Sequence, residues 1–285
     1  MQQHITQYRM AALCKAMSVS RSGYYAWRHR PQNERLLALK QAVQACHVRH
    51  KARVGAPSVT ADCHAQGFYV SERTVGRIMH ELRLRAKGNR KFKRTTDSDH
   101  KYATSPHLLN RQFTATQPNQ VWVGDITYIR TDEGWLYLAV ILDLYSRQVV
   151  GWQMSARIDC TLVCDALQSA ILTRGQPEGV MVHSDQGVQY ASKDYRTLIA
   201  QYKLTQSMSR RGNCWDNAVA ESFFATLKKQ AVQGERFMTR QETQQHIFEY
   251  IECYYNRVRR HSTNAWLSPV DYERLYQQKI KGIAV

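Results

Sequence analysis

The sequence predicts an α/β protein: a mixed five-stranded sheet flanked by helices, preceded by an all-α region of helix-turn-helix character. Three observations predict it. In the first 89 residues the apolar positions recur at helical spacing. After a polar stretch, three runs rich in Val, Ile, Trp and Tyr follow one another across short turns. From residue 160 onward, helical and strand-like runs alternate, which calls for a sheet with helices on both faces.

The first region divides into two helix pairs. Met10 to Met17 reads as a helix, "SVS" breaks it, and Ser20 caps a second helix on which Tyr24 and Trp27 share a face. The second pair opens after Pro57, stops at Gly67 and restarts behind Ser71, with Val75, Ile78, Met79 and Leu82 on one stripe. Such pairs also occur in ordinary helical bundles. Charge favours the DNA-binding reading: residues 1 to 100 carry 19 Lys and Arg against 6 Asp and Glu, whereas residues 101 to 285 carry 21 against 17, so +13 of the net +17 lies in the front third. Arg73 and Arg77, on the second helix of the second pair, are the expected DNA contacts.

Seven basic residues lie between Arg83 and Arg94, after which periodicity is lost, so residues 90–117 read as a basic linker. Strands follow at 121 to 131, 135 to 146 and 147 to 155, then a helix ending at Gly175, a short strand in "GVMVHSDQG", a helix in "SKDYRTLIAQYK", a strand in "LTQSMS" and a helix in "DNAVAESFFATLKKQ". A late helix runs from about Glu242 through "YYNRVRRHS", and a tail containing Pro269 closes the chain. The expected divisions are 1–89 for the helical DNA-binding region, 90–117 for the linker, 118–240 for the catalytic core and 241–285 for a C-terminal helical extension.

No apolar run reaches the roughly 18 residues of a membrane span, and the N-terminus lacks the layout of a signal peptide. A soluble, intracellular protein is expected. Seven cysteines without a CxxC pair support neither a disulfide framework nor a zinc knuckle, although Cys46-His47 and Cys63-His64 invite the thought.

Three carboxylates fall at chemically suggestive places. Asp125 lies within the first strand among apolar neighbours, Asp185 at the tip of the fourth, and Glu221 on the helix after the fifth. Isolated carboxylates in apolar surroundings are costly, and no Lys or Arg in their own strands relieves them, so a shared divalent cation is the economical partner. On the last helix Ala220, Phe223, Phe224, Leu227 and Ala231 form a stripe facing the sheet; Glu221 borders it, with Asn217 one turn before and Lys228 two turns after. Two hard cations about 4 Å apart would suit an in-line displacement at phosphorus. Asp143 competes with Asp125 for the first place. A turn at 132 to 134 pairs 125 with 141 and 123 with 143, placing both aspartates on one face; the position of Asp143 before the next turn instead suggests bonds to backbone amides or an arginine.

The motifs "VWVGDITYI", "LDLYSRQVVGW", "HSDQGVQYAS", "SMSRRGNCWDNAVAESFFATLKKQ" and "YYNRVRRHS" followed by "LSP" resemble those of DDE transposases and retroviral-type integrases, and the match tightens to the second-frame (OrfB) transposases of the bacterial IS-three insertion-sequence family. Thirty-five residues separate Asp185 from Glu221, and Lys228 falls seven after the glutamate, as in the D,D-35-E pattern. The resemblance implies an RNase H-like catalytic core and Asp125, Asp185 and Glu221 as catalytic metal ligands. It further implies Mg2+ as cofactor, two ions with Mn2+ as the alternative. The implied chemistry is cleavage of element ends by water and strand transfer by the freed 3′ hydroxyl through a circular intermediate. The implied partners are DNA ends and target DNA, a homo-oligomer on DNA, and an upstream-frame helix-turn-helix and leucine-zipper protein; the implied location is the bacterial cytoplasm, at the nucleoid.

Arg210 and Arg211 beside Gly212, Lys228, and Arg257 and Arg260 with Arg259 and His261 on the late helix are the other expected DNA contacts. His183 would share a strand face with Asp185, either orienting water or bonding structurally. Two competing functions remain to be separated: a non-catalytic helix-turn-helix regulator, and a tyrosine recombinase using "YYNRVRRH".

Overall fold

The computed structural model describes residues 7–29, 33–88, 115–209 and 217–282. The linker stretch 90 to 114 therefore lies outside the described residues, as do Arg210, Arg211 and Trp215.

The first helix pair forms as the pattern requires: α1 (Met10–Ala16) and α2 (Arg21–Arg28), with the Ser20 side chain accepting from the Gly23 N–H. Next comes α3 (Glu34–Arg49), which sequence analysis did not assign. Its buried stripe is narrow, Leu39, Val43 and Cys46, while Leu36 and Leu37 point to solvent, so its periodicity is blurred. The second pair is α4 (Ala56–Ala65) and α5 (Glu72–Glu81), the latter capped by Ser71. Helices α3, α4 and α5 share one small core of Leu39, Val43, Val59, Val75 and Ile78.

The sheet has the order β3-β2-β1-β4-β5. Strands β1 (Val121–Thr131), β2 (Gly134–Asp143) and β3 (Val149–Ser155) form the antiparallel meander; β4 (Met181–Ser184) and β5 (Thr205–Met208) run parallel to β1. Helices α6 (Cys160–Thr173) and α7 (Lys193–Gln201) build a core on one face with Trp122, Ile141, Val150 and Val182. On the other face lie α8 (Ala218–Leu227) and α9 (Arg240–Phe248), each continuing into a π-helical segment, Lys228–Val232 and Glu249–Tyr255. They bury Ala220, Phe223, Phe224, Leu227, Ile247 and Ile251 against Leu136, Leu138 and Val140. The apolar stripe read from α8 is therefore the one that meets the sheet.

Two expectations need correction. Thr131 pairs with Gly134, so the hairpin loop is Asp132-Glu133 alone and the whole register shifts by one: Asp125 opposes Val140 and Trp122 opposes Asp143. Because side chains alternate along a strand, that single step moves Asp143 to the opposite face from Asp125. Gly134, at φ +111°, takes the first strand position after the loop, a conformation open to glycine. The segment after Pro269, read as a tail, is helix α10 (Pro269–Ile280), with Ser268 capping it and Pro269 in its first turn. Its Glu273 is buried and accepts from Ser146 at 2.5 Å and Arg174 at 2.6 Å, which ties the C-terminus to the end of the sheet.

No helix among the described residues is long and apolar enough to cross a membrane.

Candidate active site

β4 is only four residues long and meets β1 through Val121, Trp122 and Val123, leaving the rest of that β1 edge open among the described residues. Asp125 sits just where the pairing ends. Continuing the register two residues beyond Val123 opposite His183 brings Asp185 level with Asp125, on the same face. Asp185 is held in a turn, its Oδ1 accepting the Gly187 N–H at 2.9 Å, and Asp125 accepts the Ile126 N–H at 2.8 Å. Glu221 comes from the first turn of α8, where the helix dipole favours a carboxylate. It is exposed, while both aspartates are half-buried.

Electrostatics report the convergence. Burial raises the Asp125 carboxyl well above the usual range; the Asp185 charge raises it further, the Ile126 N–H opposes, Glu221 raises and Lys228 lowers. Three carboxylates thus repel one another in a partly shielded place. Lys228 stands at the start of the π-helical segment, its Nζ 4.9 Å from the centre of the Tyr128 ring; burial lowers its pKa, with Tyr128 and Asp125 opposing. Asn217 reaches the Gly124 carbonyl at 3.4 Å, and its buried Oδ1 has no hydrogen-bond partner among the described residues.

A hard divalent cation fits these residues. Three oxygen ligands whose charges oppose one another, beside an orphaned amide oxygen, form the donor set such an ion takes. Tyr190, absent from the residues expected at the site, has a hydroxyl buried without a partner among the described residues; burial, then Asp125 and Asp185, push its pKa well up, so it stays protonated beside the two aspartates. The signal was its place in "HSDQGVQYAS", five residues after Asp185.

Asp143 does something else. It accepts from the backbone N–H groups of Asn119 at 2.7 Å and Tyr145 at 2.8 Å and from Arg174 at 3.1 Å, on the far face of the sheet. His183 is buried and bonds Ser207 on β5 at 2.9 Å, a structural contact.

The expected DNA contacts separate. Arg73 and Arg77 are exposed on α5, and Arg257 is exposed beyond the late helix. Arg260 is engaged elsewhere: its Nε donates to Asp62 at 2.6 Å and a terminal nitrogen to the Trp266 carbonyl at 2.8 Å. Arg259 lies over the Tyr255 ring and donates to His261, whose pKa burial and then Arg259 and Arg147 depress to about 2, so His261 offers no charge to a phosphate. Tyr254 and Tyr255 are buried, their hydroxyls meeting His50 and the Arg147 carbonyl. That burial removes the tyrosine-recombinase reading, which needs an accessible nucleophile.

Cys46, His50 and Asp62 bring ligand-type atoms within 4.8 Å of one another, with His50 rather than His47 as partner. The cluster is better described as an ion-pair hub. Asp62 receives Arg49 at 2.6 Å, Arg260 at 2.6 Å, His50 at 2.7 Å and the Cys46 thiol at 2.9 Å. Two fixed guanidinium charges already satisfy the carboxylate, and burial, with Asp62, drives the Cys46 thiol far up, against thiolate formation.

The family described as Integrase core domain matches residues 115–214, a second of the same description matches 221–275, and an HTH-like domain matches 32–92. Among solved structures, the HTLV-2 integrase catalytic core domain in complex with magnesium aligns with a TM-score of 0.43 at 15% identity, over 55% of this chain and 98% of that one. The Insertion element IS600 uncharacterized 31 kDa protein of Shigella sonnei is 42% identical over 93% of this chain and 99% of its own. Transposase InsF for insertion sequence IS3A from Escherichia coli (strain K12) is 44% identical over 279 residues, 95% of this chain and 96% of that protein. With that identity sustained along nearly the full length of both, the chain belongs to the transposase family of insertion sequence IS3.

Proposed function

We propose that the chain cuts the ends of its insertion element and joins them to new DNA at the Asp125, Asp185 and Glu221 site. The observation that carries this reading is the place of Asp125, where the β1–β4 pairing ends, with its carboxyl raised by burial first and then by the charges of Asp185 and Glu221. Asp125, Asp185 and Glu221 would hold divalent cations, two Mg2+ with Mn2+ as the alternative, and Asn217 Oδ1 stands ready as a further oxygen. When bound, the cations lower the charge of the scissile phosphate and stabilise the oxygen that leaves. Lys228 supplies a partly desolvated cation for a phosphate beside the cut, and Tyr190 a hydroxyl that remains protonated near both aspartates. Cleavage displaces the 3′ oxygen in line by water; strand transfer uses that freed hydroxyl against a target phosphodiester.

Arg73 and Arg77 on α5 are the best-placed contacts to the terminal repeat, with Arg257 secondary. Arg210 and Arg211 belong to the same reading as DNA contacts. Divisions at 1–89, 90–117, 118–240 and 241–285 suit this arrangement of work. A homo-oligomer on DNA, an upstream-frame partner and a place at the nucleoid belong to the same reading.

The test incubates the full chain with a duplex of its element's terminal repeat and Mg2+, scoring strand-specific nicks. Glu221→Gln should bind as wild type and fail to nick, because one charged ligand is lost while the helix packing is kept. Near-normal nicking by Glu221→Gln would remove the assignment and leave a DNA-binding regulator.

A further inference from the structure

On the sheet face opposite α8, the β1–β2 hairpin carries Tyr128, Arg130, Trp135 and Tyr137, the register pairing Tyr128 with Tyr137 and Arg130 with Trp135. Tyr128 and Trp135 are 38% and 46% exposed, and their rings meet edge to face with centroids 5.0 Å apart at 81°. Singly exposed aromatics are ordinary, but here two touch each other between two cations. Arg130 is exposed beside Trp135, and Lys228 crosses the open edge of β1 from the α8 side to lie over Tyr128. Lys228 also interacts electrostatically with Asp125, so this one side chain links the ring pair to the carboxylate site. The hairpin that carries them is braced: Arg236 pairs with Asp132 at 3.0 Å, and Arg240 bonds Glu133 through its N–H at 2.8 Å and the Trp135 carbonyl through its Nε at 3.2 Å.

An exposed aromatic corner flanked by cations has the chemistry that single-stranded nucleic acid uses, bases on rings and phosphates on cations. Lys228 covers one side of Tyr128, which leaves Trp135 the larger open surface. Three strand steps take Asp125 to Tyr128, roughly 10 Å along β1. That length spans about three base steps of DNA.

We propose that the Tyr128–Trp135 corner is a base-stacking site, holding one unpaired base within three nucleotides of the bond being cut. Trp135 provides the stacking face, Tyr128 closes the corner and positions Lys228, and Lys228 and Arg130 take the flanking phosphates. Taking one base out of the duplex would free the strand to bend into the carboxylate site. This rests on the active-site reading given above.

The experiment uses the full chain and the terminal-repeat duplex with Mg2+. Single abasic sites are placed at each of the three positions on either side of the cut, and Trp135→Ala and Trp135→Phe are compared with wild type. One abasic position should slow wild-type nicking roughly tenfold, the scale of one base–aromatic stack. Trp135→Ala should slow the intact duplex similarly and lose nothing further at that position, while Trp135→Phe keeps most activity. Independent, multiplying effects at every position would overturn the proposal, as would wild-type nicking by Trp135→Ala or a change in oligomeric state without DNA. Should Trp135→Ala fold poorly, 2-aminopurine at the same positions gives the answer in Asp125→Asn protein: one position should depart from its duplex fluorescence level on binding, and six positions that all stay at the duplex level refute the proposal. Asp125→Asn in the nicking assay separates the two readings. If it still nicks, the carboxylate site is wrong; if it is dead while the Trp135 and abasic effects multiply, only the stacking corner is wrong.

Discussion

Asp125 and Asp143 show how two aspartates eighteen residues apart acquire opposite roles. Asp125 is a half-buried carboxylate whose one backbone donor, the Ile126 N–H, does not offset the cost of its charge. Its raised carboxyl means that ionisation opposes folding in the metal-free protein: the cost is absent below the unfolded pKa near 4 and grows as pH rises toward the folded value. Asp125→Asn should therefore abolish Mg2+-dependent nicking and, without metal, melt at or above the wild-type temperature at pH 7 to 8. A lower melting temperature would mean that the ionised carboxylate stabilises the fold. Asp143 is also raised, by burial first and then by Glu273, yet it accepts three hydrogen bonds from fixed donors. An amide in its place turns an NH2 toward N–H groups, so Asp143→Asn should cost about 1–3 kcal/mol in urea unfolding while the folded fraction still nicks.

At the level of elements, close approach decides what the sheet can carry. Gly151 on β3 lies under α6, and a Cβ there would stand 2.6 Å from the Ala170 Cβ and closer still to the helix backbone. Backbone cannot retreat as a flexible side chain can. Gly151→Ala should thus destabilise by about 1–3 kcal/mol through overpacking, read as a lower melting temperature with the metal dependence of nicking unchanged. The π-helical segment after α8 is a second such device. It begins at Lys228 and presents buried Gln230 to both halves of the molecule: Gln230 donates to the Arg53 carbonyl at 3.1 Å and accepts from Tyr250 at 2.8 Å.

At the scale of the whole molecule, the helical region is docked through polar contacts on the C-terminal extension and on the segment just before it. Asp62 meets Arg260, His50 meets Tyr254, Arg53 lies 4.6 Å over the Tyr254 ring, and Lys87 pairs with Glu235 at 2.9 Å. Burial pushes the Asp62 carboxyl up, but bonds from His50, Cys46, Arg260 and Arg49 outweigh it and hold the group well below the usual range. A depressed acid stabilises above its unfolded pKa near 4 and loses that contribution as pH falls through the folded value. Asp62→Ala should accordingly cost about 1–3 kcal/mol near neutral pH by leaving the buried His50 and Cys46 donors without their acceptor, with the difference from wild type shrinking below pH 4. DNA affinity belongs to this scale too. Arg73→Ala with Arg77→Ala should flatten the slope of log K against log salt by roughly two, about 0.9 for each phosphate no longer neutralised, without lowering the melting temperature; an unchanged slope would place the phosphate-binding residues elsewhere.

What the sequence by itself determined is what periodicity and spacing encode. Strand β1 at 121 to 131, the buried stripe of α8 and the caps at Ser20 and Ser71 are all local patterns, because each rests on side-chain alternation, helical repeat or one hydrogen bond within a turn. What only the tertiary structure decided depends on partners distant in the chain. A two-residue hairpin loop set the register and parted Asp143 from Asp125; the shortness of β4 left the β1 edge at Asp125 without a paired strand; Asp62 claimed Arg260 from 198 positions away. An arginine that grips a phosphate and one that grips a buried aspartate are the same residue in sequence. Only the fold, by choosing which charge it faces, tells them apart.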